Sequence, residues 1–217
     1  MRVQPLRSVA EILKGGGVIL HATETCYGLA ADIFNENAVG KIYSLKKMRK
    51  DKPVSIMVRN LAEARKYANF NKTALLLARQ YWPGPLTLVL PRKKSLPAFL
   101  NRGHDTVGIR YPDSKVSQAL IKANGGPLVT TSANLSGKKE VYKVADYLAQ
   151  IQILRIKPDL VLDDGLISKN PPSTIIGFEK DGLKLFRDGG LWNEIGKNMV
   201  SCRFEAAEEA LPVQVPK

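Results

Sequence analysis

Cysteine, histidine and acidic residues are all scarce in this chain of 217 residues. The two cysteines, Cys26 and Cys202, lie far apart, and the two histidines, His21 and His104, give no pair with metal-ligand spacing. A disulfide framework and a zinc site are therefore not expected, and a reduced, cytoplasmic setting is the default. No apolar run reaches the ~18 residues a membrane span needs. The N-terminus, "MRVQPLRSVAEILKGGG", lacks the apolar stretch and small-residue cleavage site of a secretory signal. Familiar catalytic signatures are missing as well: no G-x-S-x-G elbow, no H-E-x-x-H, and a "GGGV" without the Gly-Lys-Ser/Thr of a phosphate loop. Neither histidine has an evident partner. Covalent catalysis is not expected, and no side chain is assigned as catalytic.

Basic residues are what the chain has in excess. Thirty-three Lys and Arg against 20 Asp and Glu give a net charge of +13 and a pI near 9.8. That balance favours a polyanionic partner, whether nucleic acid, nucleotide phosphate or an anionic surface. The charge concentrates in "KKMRKDK", 46–52, and less strongly in "PRKK", 91–94. A lysine-rich helix end is most often a solvated face. Hydrophobic residues at 44% and charged residues at 24% are ordinary for a globular chain with a sizeable core.

The pattern along the chain reads as α/β. "ILKGGGVILHAT" is a helix end, a glycine stop and a strand over about 18–22. "ENAVGKIYSLKKM" has helical spacing, and "KPVSIMV" reads as a short strand. "NLAEARKYA" and "KTALLLARQYW" read as helices. Pro-Gly-Pro then breaks the chain before the strand "LTLVLP". "DTVGIRYP" is a strand, "SKVSQALIKANGG" a helix with a serine start and glycine stop, and "PLVTTSANLSG" a strand entering a polar loop. "DYLAQI" is a helix; "DLVLDDG", "STIIGF" and "LKLFRDGG" are strands. The alternation is irregular, which predicts a twisted mixed parallel and antiparallel sheet with helices on its faces. One domain over 1–204 and a loose tail over 205–217 are expected.

Polar residues gather at strand ends: "TETCYGL", "TTSANLSG" and "PPST". Strand ends and their loops are where open α/β sheets build ligand sites. "HATETCYGLAAD" spends Thr23, Glu24, Thr25 and Tyr27 just before Gly28, more than a plain turn needs. Arg110 and Arg187 stand on otherwise apolar strands, where an arginine needs a salt-bridge partner or a bound anion. Cys26 suits a small half-buried filler and Trp82 a core residue. A site of hydroxyls, arginines and lysines works by positioning and by stabilising charge.

Six segments, "HATETCYGLAAD", "KIYSLKKMRKDKP", "YWPGPLTLVL", "DTVGIRYP", "TTSANLSG" and "STIIGF…LFRDGG", occur in the order and spacing of the YrdC-like family. The chain resembles that family from about Val9 to Gly190. The resemblance implies a twisted mixed sheet around a basic cavity. It also implies formation of threonylcarbamoyl-AMP and pyrophosphate from L-threonine, bicarbonate and ATP with Mg²⁺, for modification of adenosine 37 of tRNA by partner proteins. It assigns L-threonine contacts to Thr23, Arg110, Thr130 and Ser173. ATP contacts go to Lys46, Thr106, Ser132, Asn134 and Arg187. The chain departs from the pattern at Ala22 for proline, at Lys52, at Met57 for a histidine, and at Glu140-Val141-Tyr142 for Ser-Pro-Thr. Met48 stands in the arginine position of Lys-x-Arg, so Arg49 is expected to swing in beside Lys46. A paralogue acting on another carbamate or carbamoyl-adenylate is an alternative. A non-catalytic module for tRNA or double-stranded RNA is another, though it would favour more exposed aromatics than the 7% present.

Overall fold

The computed structural model describes residues 6–179 and 182–198. The expected tail, 205–217, and Cys202 lie outside the described residues. The elements run α1 (Leu6–Lys14), β1 (Ile19–Ala22), β2 (Tyr27–Asp32), α2 (Glu36–Leu45), β3 (Ser55–Met57), α3 (Leu61–Tyr67), α4 (Lys72–Tyr81) and β4 (Leu86–Pro91). They continue with β5 (Thr106–Arg110), α5 (Lys115–Asn124), β6 (Leu128–Ser132), α6 (Val144–Ile151), β7 (Leu160–Val161), β8 (Thr174–Glu179) and β9 (Gly182–Arg187). A short helical stretch over 192–198 follows.

Four helices begin where short polar side chains accept from free backbone N–H groups. Asn35, Asn60 and Asn71 cap α2, α3 and α4, and Ser114 caps α5. Each such cap is worth about 1 kcal/mol. Helix α5 stops at Gly125, whose φ of 74° is the left-handed conformation that glycine adopts without a Cβ penalty.

Among the described residues, the nine strands join one sheet in the order β7-β1-β2-β6-β3-β5-β4-β8-β9. The pairs β1·β7, β3·β5 and β4·β8 are parallel and the others antiparallel, so the expected mixed sheet is present. Strand β7 spans only two residues.

Register sorts the side chains between the two faces. Ala31, Val129, Ile56, Ile109, Leu88 and Ile176 follow one another across the strands. They share the larger hydrophobic core with side chains of α2, α3, α4 and α6. On the other face, Ile19, Ala30, Leu128 and Met57 pack against Val9 and Leu13 of α1 and Leu120 and Ile121 of α5. That second core covers only part of its face. The same face continues through Gly28, Ser132, Thr130, Ser55, Gly108, Arg110, Thr87, Ile175 and Arg187. Beyond the cover of α1 and α5, the residues turn from apolar to polar and a cavity opens.

The sequence places Tyr27 among the polar residues presented at a site; the structure does not. Tyr27 begins β2, is fully buried, and belongs to the larger core. Its hydroxyl meets Gly165 O at 2.9 Å and accepts from Asp164 N at 2.9 Å. It thereby ties the sheet to the segment before β8, and burial raises its pKa to about 12.

Candidate functional site

The cavity has a volume of about 220 Å³ and is bounded by the 23–26 turn, the sheet face and the segment 172–173. Seven hydroxyl side chains line it: Thr23 and Thr25 from the turn, Ser55, Thr87, Thr130 and Ser132 from the strands, and Ser173 from the approach to β8; Thr131 also borders it, but its pairing with Leu29 puts its side chain on the other face of the sheet. Cys26, Gly28, Arg110 and Arg187 complete its polar and small-residue wall.

Thr23 shapes the turn. Its hydroxyl donates to Cys26 O at 2.7 Å and accepts from Thr25 N at 3.1 Å and Cys26 N at 3.2 Å. A hydroxyl bonded this way to its own backbone folds the chain sharply between two strands. Glu24 then reaches Arg110, with Nη2 donating to Oε1 at 2.7 Å. Arg110 is 9% exposed and its Nε finds no acceptor among the described residues.

Ser173 joins two walls. Its hydroxyl bonds to that of Thr87 at 2.9 Å and accepts from Arg187 Nη2 at 2.9 Å, while its carbonyl accepts from Arg187 Nε at 3.0 Å. A bulge places Arg187 there: β8 and β9 slip register between Ile175 and Ile176, which brings Arg187 opposite Ile175 on the cavity face. Burial pushes the Arg187 pKa down, and the nearby negative charge of Glu140 opposes that shift. The segment carrying Ser173 must lie close to Gly189, where a Cβ would sit 1.8 Å from Pro172 O.

Lys46 stands behind Ser132. Its Nζ donates to Ser132 O, to Asn134 O at 3.0 Å and to Asn134 Oδ1 at 2.9 Å. Those three acceptors match the three N–H groups of an ammonium. Burial nonetheless pushes its pKa down to about 8. The ammonium clamps the "TTSAN" strand end to the end of α2.

The candidate residues therefore separate by position. Thr23, Arg110, Thr130, Ser132, Ser173 and Arg187 line one cavity, and Lys46 and Asn134 support its edge. Thr106 shares the sheet face, two residues before Gly108, but is exposed and outside the lining. Arg49 departs from expectation: it does not swing in beside Lys46. Its side chain is 79% exposed and paired with Asp51 at 2.5 Å. Lys47 takes φ 46° at the helix end and Met48 packs against the core, so the next residue is directed into solvent. Glu140 precedes Val141, whose carbonyl accepts from Tyr27 N at 3.0 Å, and its charge is felt at Cys26, Lys46 and Arg187. Burial together with Glu140 raises the Cys26 pKa and keeps the thiol protonated.

Sequence reading alone did not assign Thr25, Ser55 and Thr87 to the site. Ser55 and Thr87 had a signal: each is a single hydroxyl in a short apolar strand, "VSIMV" and "LTLVL".

The comparisons concern fold and sequence. The Sua5/YciO/YrdC family model, described as "Telomere recombination", matches residues 11–189. A putative threonylcarbamoyl-AMP synthase of Methanocaldococcus jannaschii is 37% identical over 84% of this chain and 86% of its own length. The structure of Pyrococcus abyssi Sua5 complexed with L-threonine aligns with TM-score 0.81 and 32% identity, covering 88% of this chain. This chain spans only 56% of the length of that protein. Escherichia coli YciO aligns with TM-score 0.75 and 27% identity, over 85% of this chain and 89% of YciO. With fold and sequence in agreement over most of its length, the chain belongs to the Sua5/YciO/YrdC family.

Proposed function

We propose that this protein is an L-threonylcarbamoyladenylate synthase, a nucleotidyltransferase that works in the cytoplasm. The observation that carries the reading is Arg110, presented with seven hydroxyls in one cavity, on a fold shared with a Sua5 structure complexed with L-threonine. An arginine suits a carboxylate, and hydroxyls on three sides suit a small polar amino acid.

In this reading Thr23, Arg110, Thr130 and Ser173 receive L-threonine. Bicarbonate condenses with its amine to give a carbamate, with loss of water. A carbamate oxygen then attacks the α-phosphorus of ATP. The bond to the β-phosphate oxygen breaks, and pyrophosphate leaves with that electron pair. Mg²⁺ enters as part of the nucleotide substrate. Arg187 and Ser132 face the phosphates. Lys46 and Asn134 act through the strand end they hold, because the ammonium donors of Lys46 are already engaged. Thr106 would meet the nucleotide where it extends past the cavity: 220 Å³ is below the ~300–1,000 Å³ of pockets that enclose a drug-sized ligand. The chemistry needs no covalent intermediate on the protein. The product would pass to partner proteins that modify adenosine 37 of tRNA.

A second reading has one observation in its favour. Met48 fills the arginine position and Arg49 faces solvent against Asp51, as suits a paralogue with another carbamate substrate. Pyrophosphate release from Mg·ATP and bicarbonate, with and without L-threonine, separates the two. Release that requires threonine supports the synthase; equal release with glycine, serine or no amino acid overturns it.

A further inference from the structure

Glu24 is the one acidic side chain in direct contact with the cavity arginine Arg110 among the described ion pairs, yet it does not line the cavity. Its Oε1 accepts from Arg110 Nη2 at 2.7 Å and from Asp113 N at 3.0 Å. Its backbone carbonyl accepts from Asn170 Nδ2 at 2.8 Å. Glu24 thus joins the 23–26 turn, the loop after β5 and the segment leading to Ser173. The guanidinium it holds is buried, and the remaining contacts of that group are weak. Thr25 Oγ1 lies 3.5 Å from Nη1 and 3.4 Å from Nη2, and Nε has no acceptor among the described residues. A buried guanidinium with an unfilled donor is costly unless a ligand completes it.

We propose that Glu24 is a positioning residue: by holding Arg110 from behind, it turns the remaining N–H donors of that guanidinium into the cavity as the seat for the carboxylate of the bound amino acid. The ligand's identity rests on the proposed function. The turn accounts for the spacing. Thr23 folds the backbone and Thr25 lines the cavity, while Glu24 between them stays out of the lining and reaches Arg110. A second carboxylate beside the Glu24–Arg110 pair is tolerable because Arg187 lines the same cavity, further along the same sheet face.

Two rivals make different predictions. If Glu24 only occupies the carboxylate seat of an empty cavity, removing its charge tightens ligand binding. If it only ties loops together, removing its charge changes no affinity while the fold is intact. Calorimetric titration of the full chain with threonine, serine, glycine and ATP decides, using Glu24→Gln and Glu24→Asp. We expect Glu24→Gln to weaken amino-acid binding about 10- to 100-fold, the loss for one charge-assisted hydrogen bond. ATP affinity should change less than about twofold and Glu24→Asp should recover part of the loss, because the lost contact concerns the carboxylate seat alone. Equal or tighter amino-acid binding in folded Glu24→Gln overturns the proposal. Should Glu24→Gln fail to fold, Glu24→Asp with wild-type affinity for both ligands overturns it. A second readout is the Nε–H proton signal of Arg110, identified by its loss in Arg110→Lys. It should be exchange-protected in the wild type and broadened in Glu24→Gln; an unchanged signal counts against positioning. A chain that binds serine or glycine but not threonine overturns the threonine reading, and the Glu24 effect is then read on those ligands. A chain that binds none of the three amino acids overturns both.

Discussion

Acid should destabilise this protein through His21. The imidazole is fully buried on β1, opposite Gly28, and its Nδ1 lies 3.0 Å from Ala22 O. A carbonyl only accepts, so the ring proton sits on Nδ1 and Nε2 is bare. Nε2 has no partner among the described residues. Protonation would add a charge and an unmet donor to a dry site. Burial accordingly holds the pKa near 4, against 6.5 for a free imidazole. The folded pKa is depressed, so the stability contribution is complete above about 6.5 and is lost as pH falls toward 4. At about 1.4 kcal/mol per pH unit, the cost reaches about 3 kcal/mol at pH 4. Urea unfolding between pH 7 and pH 4 measures it, with His21→Gln as the reference that removes the carboxylate contribution. Ring-proton NMR gives the pKa itself, and His104→Gln assigns the two histidine signals. A His21 midpoint near 6.5, or equal acid loss in wild type and His21→Gln, would refute the burial argument. The effect should spread to the cavity, because a Cβ on Gly28 would stand 3.6 Å from His21 Nε2.

Other outcomes follow from the same contacts. Arg49→Ala should change ATP affinity by less than about threefold, since exposed ion pairs contribute little, whereas Met48→Arg should strengthen ATP binding by returning a cation to the site; titrations at fixed salt compare them. Ser173→Ala removes the bonds to Thr87 and Arg187 and should cost about 1–3 kcal/mol in a urea melt, with weaker binding of both substrates. Gly189→Ala should cost at least about 2 kcal/mol and weaken threonine binding, because Pro172 O must give way and carries Ser173 with it; a neutral melt would show that the segment yields freely.

Most of the fold was legible because helix caps, glycine stops and apolar runs are local signals. Ser114 and Gly125 bound α5 as its sequence predicts. Strand β2 carries no such signal. "YGLAAD" has neither alternation nor a β-branched residue, since it is a central strand covered on both faces and built from small residues. Tyr27 therefore reads as part of a polar run although its ring is in the core. The cavity residues on loops were visible as excess hydroxyls. Ser55 and Thr87 join them only through cross-strand register, which a single strand does not encode. The outward turn of Arg49 depends on the backbone of Lys47 and on Asp51, neither of which a motif match weighs.

The cations near the cavity are already partly engaged, and that constrains how anions would be held. Lys46 gives its donors to Ser132 and Asn134, and Arg110 gives Nη2 to Glu24. Arg187 gives Nε and Nη2 to Ser173. What remains for a ligand is the rest of two guanidinium groups and a wall of hydroxyls. Hydroxyls orient a phosphate or carboxylate without neutralising it, so under the proposed reaction the triphosphate relies on Arg187 and on the Mg²⁺ it carries. Glu140 strengthens that dependence, since its charge lies near the same cations and disfavours a bare tetra-anion. Under that reaction, selectivity for a small amino acid would rest on shape and hydrogen bonding in the cavity, and nucleotide binding on the metal complex as a unit.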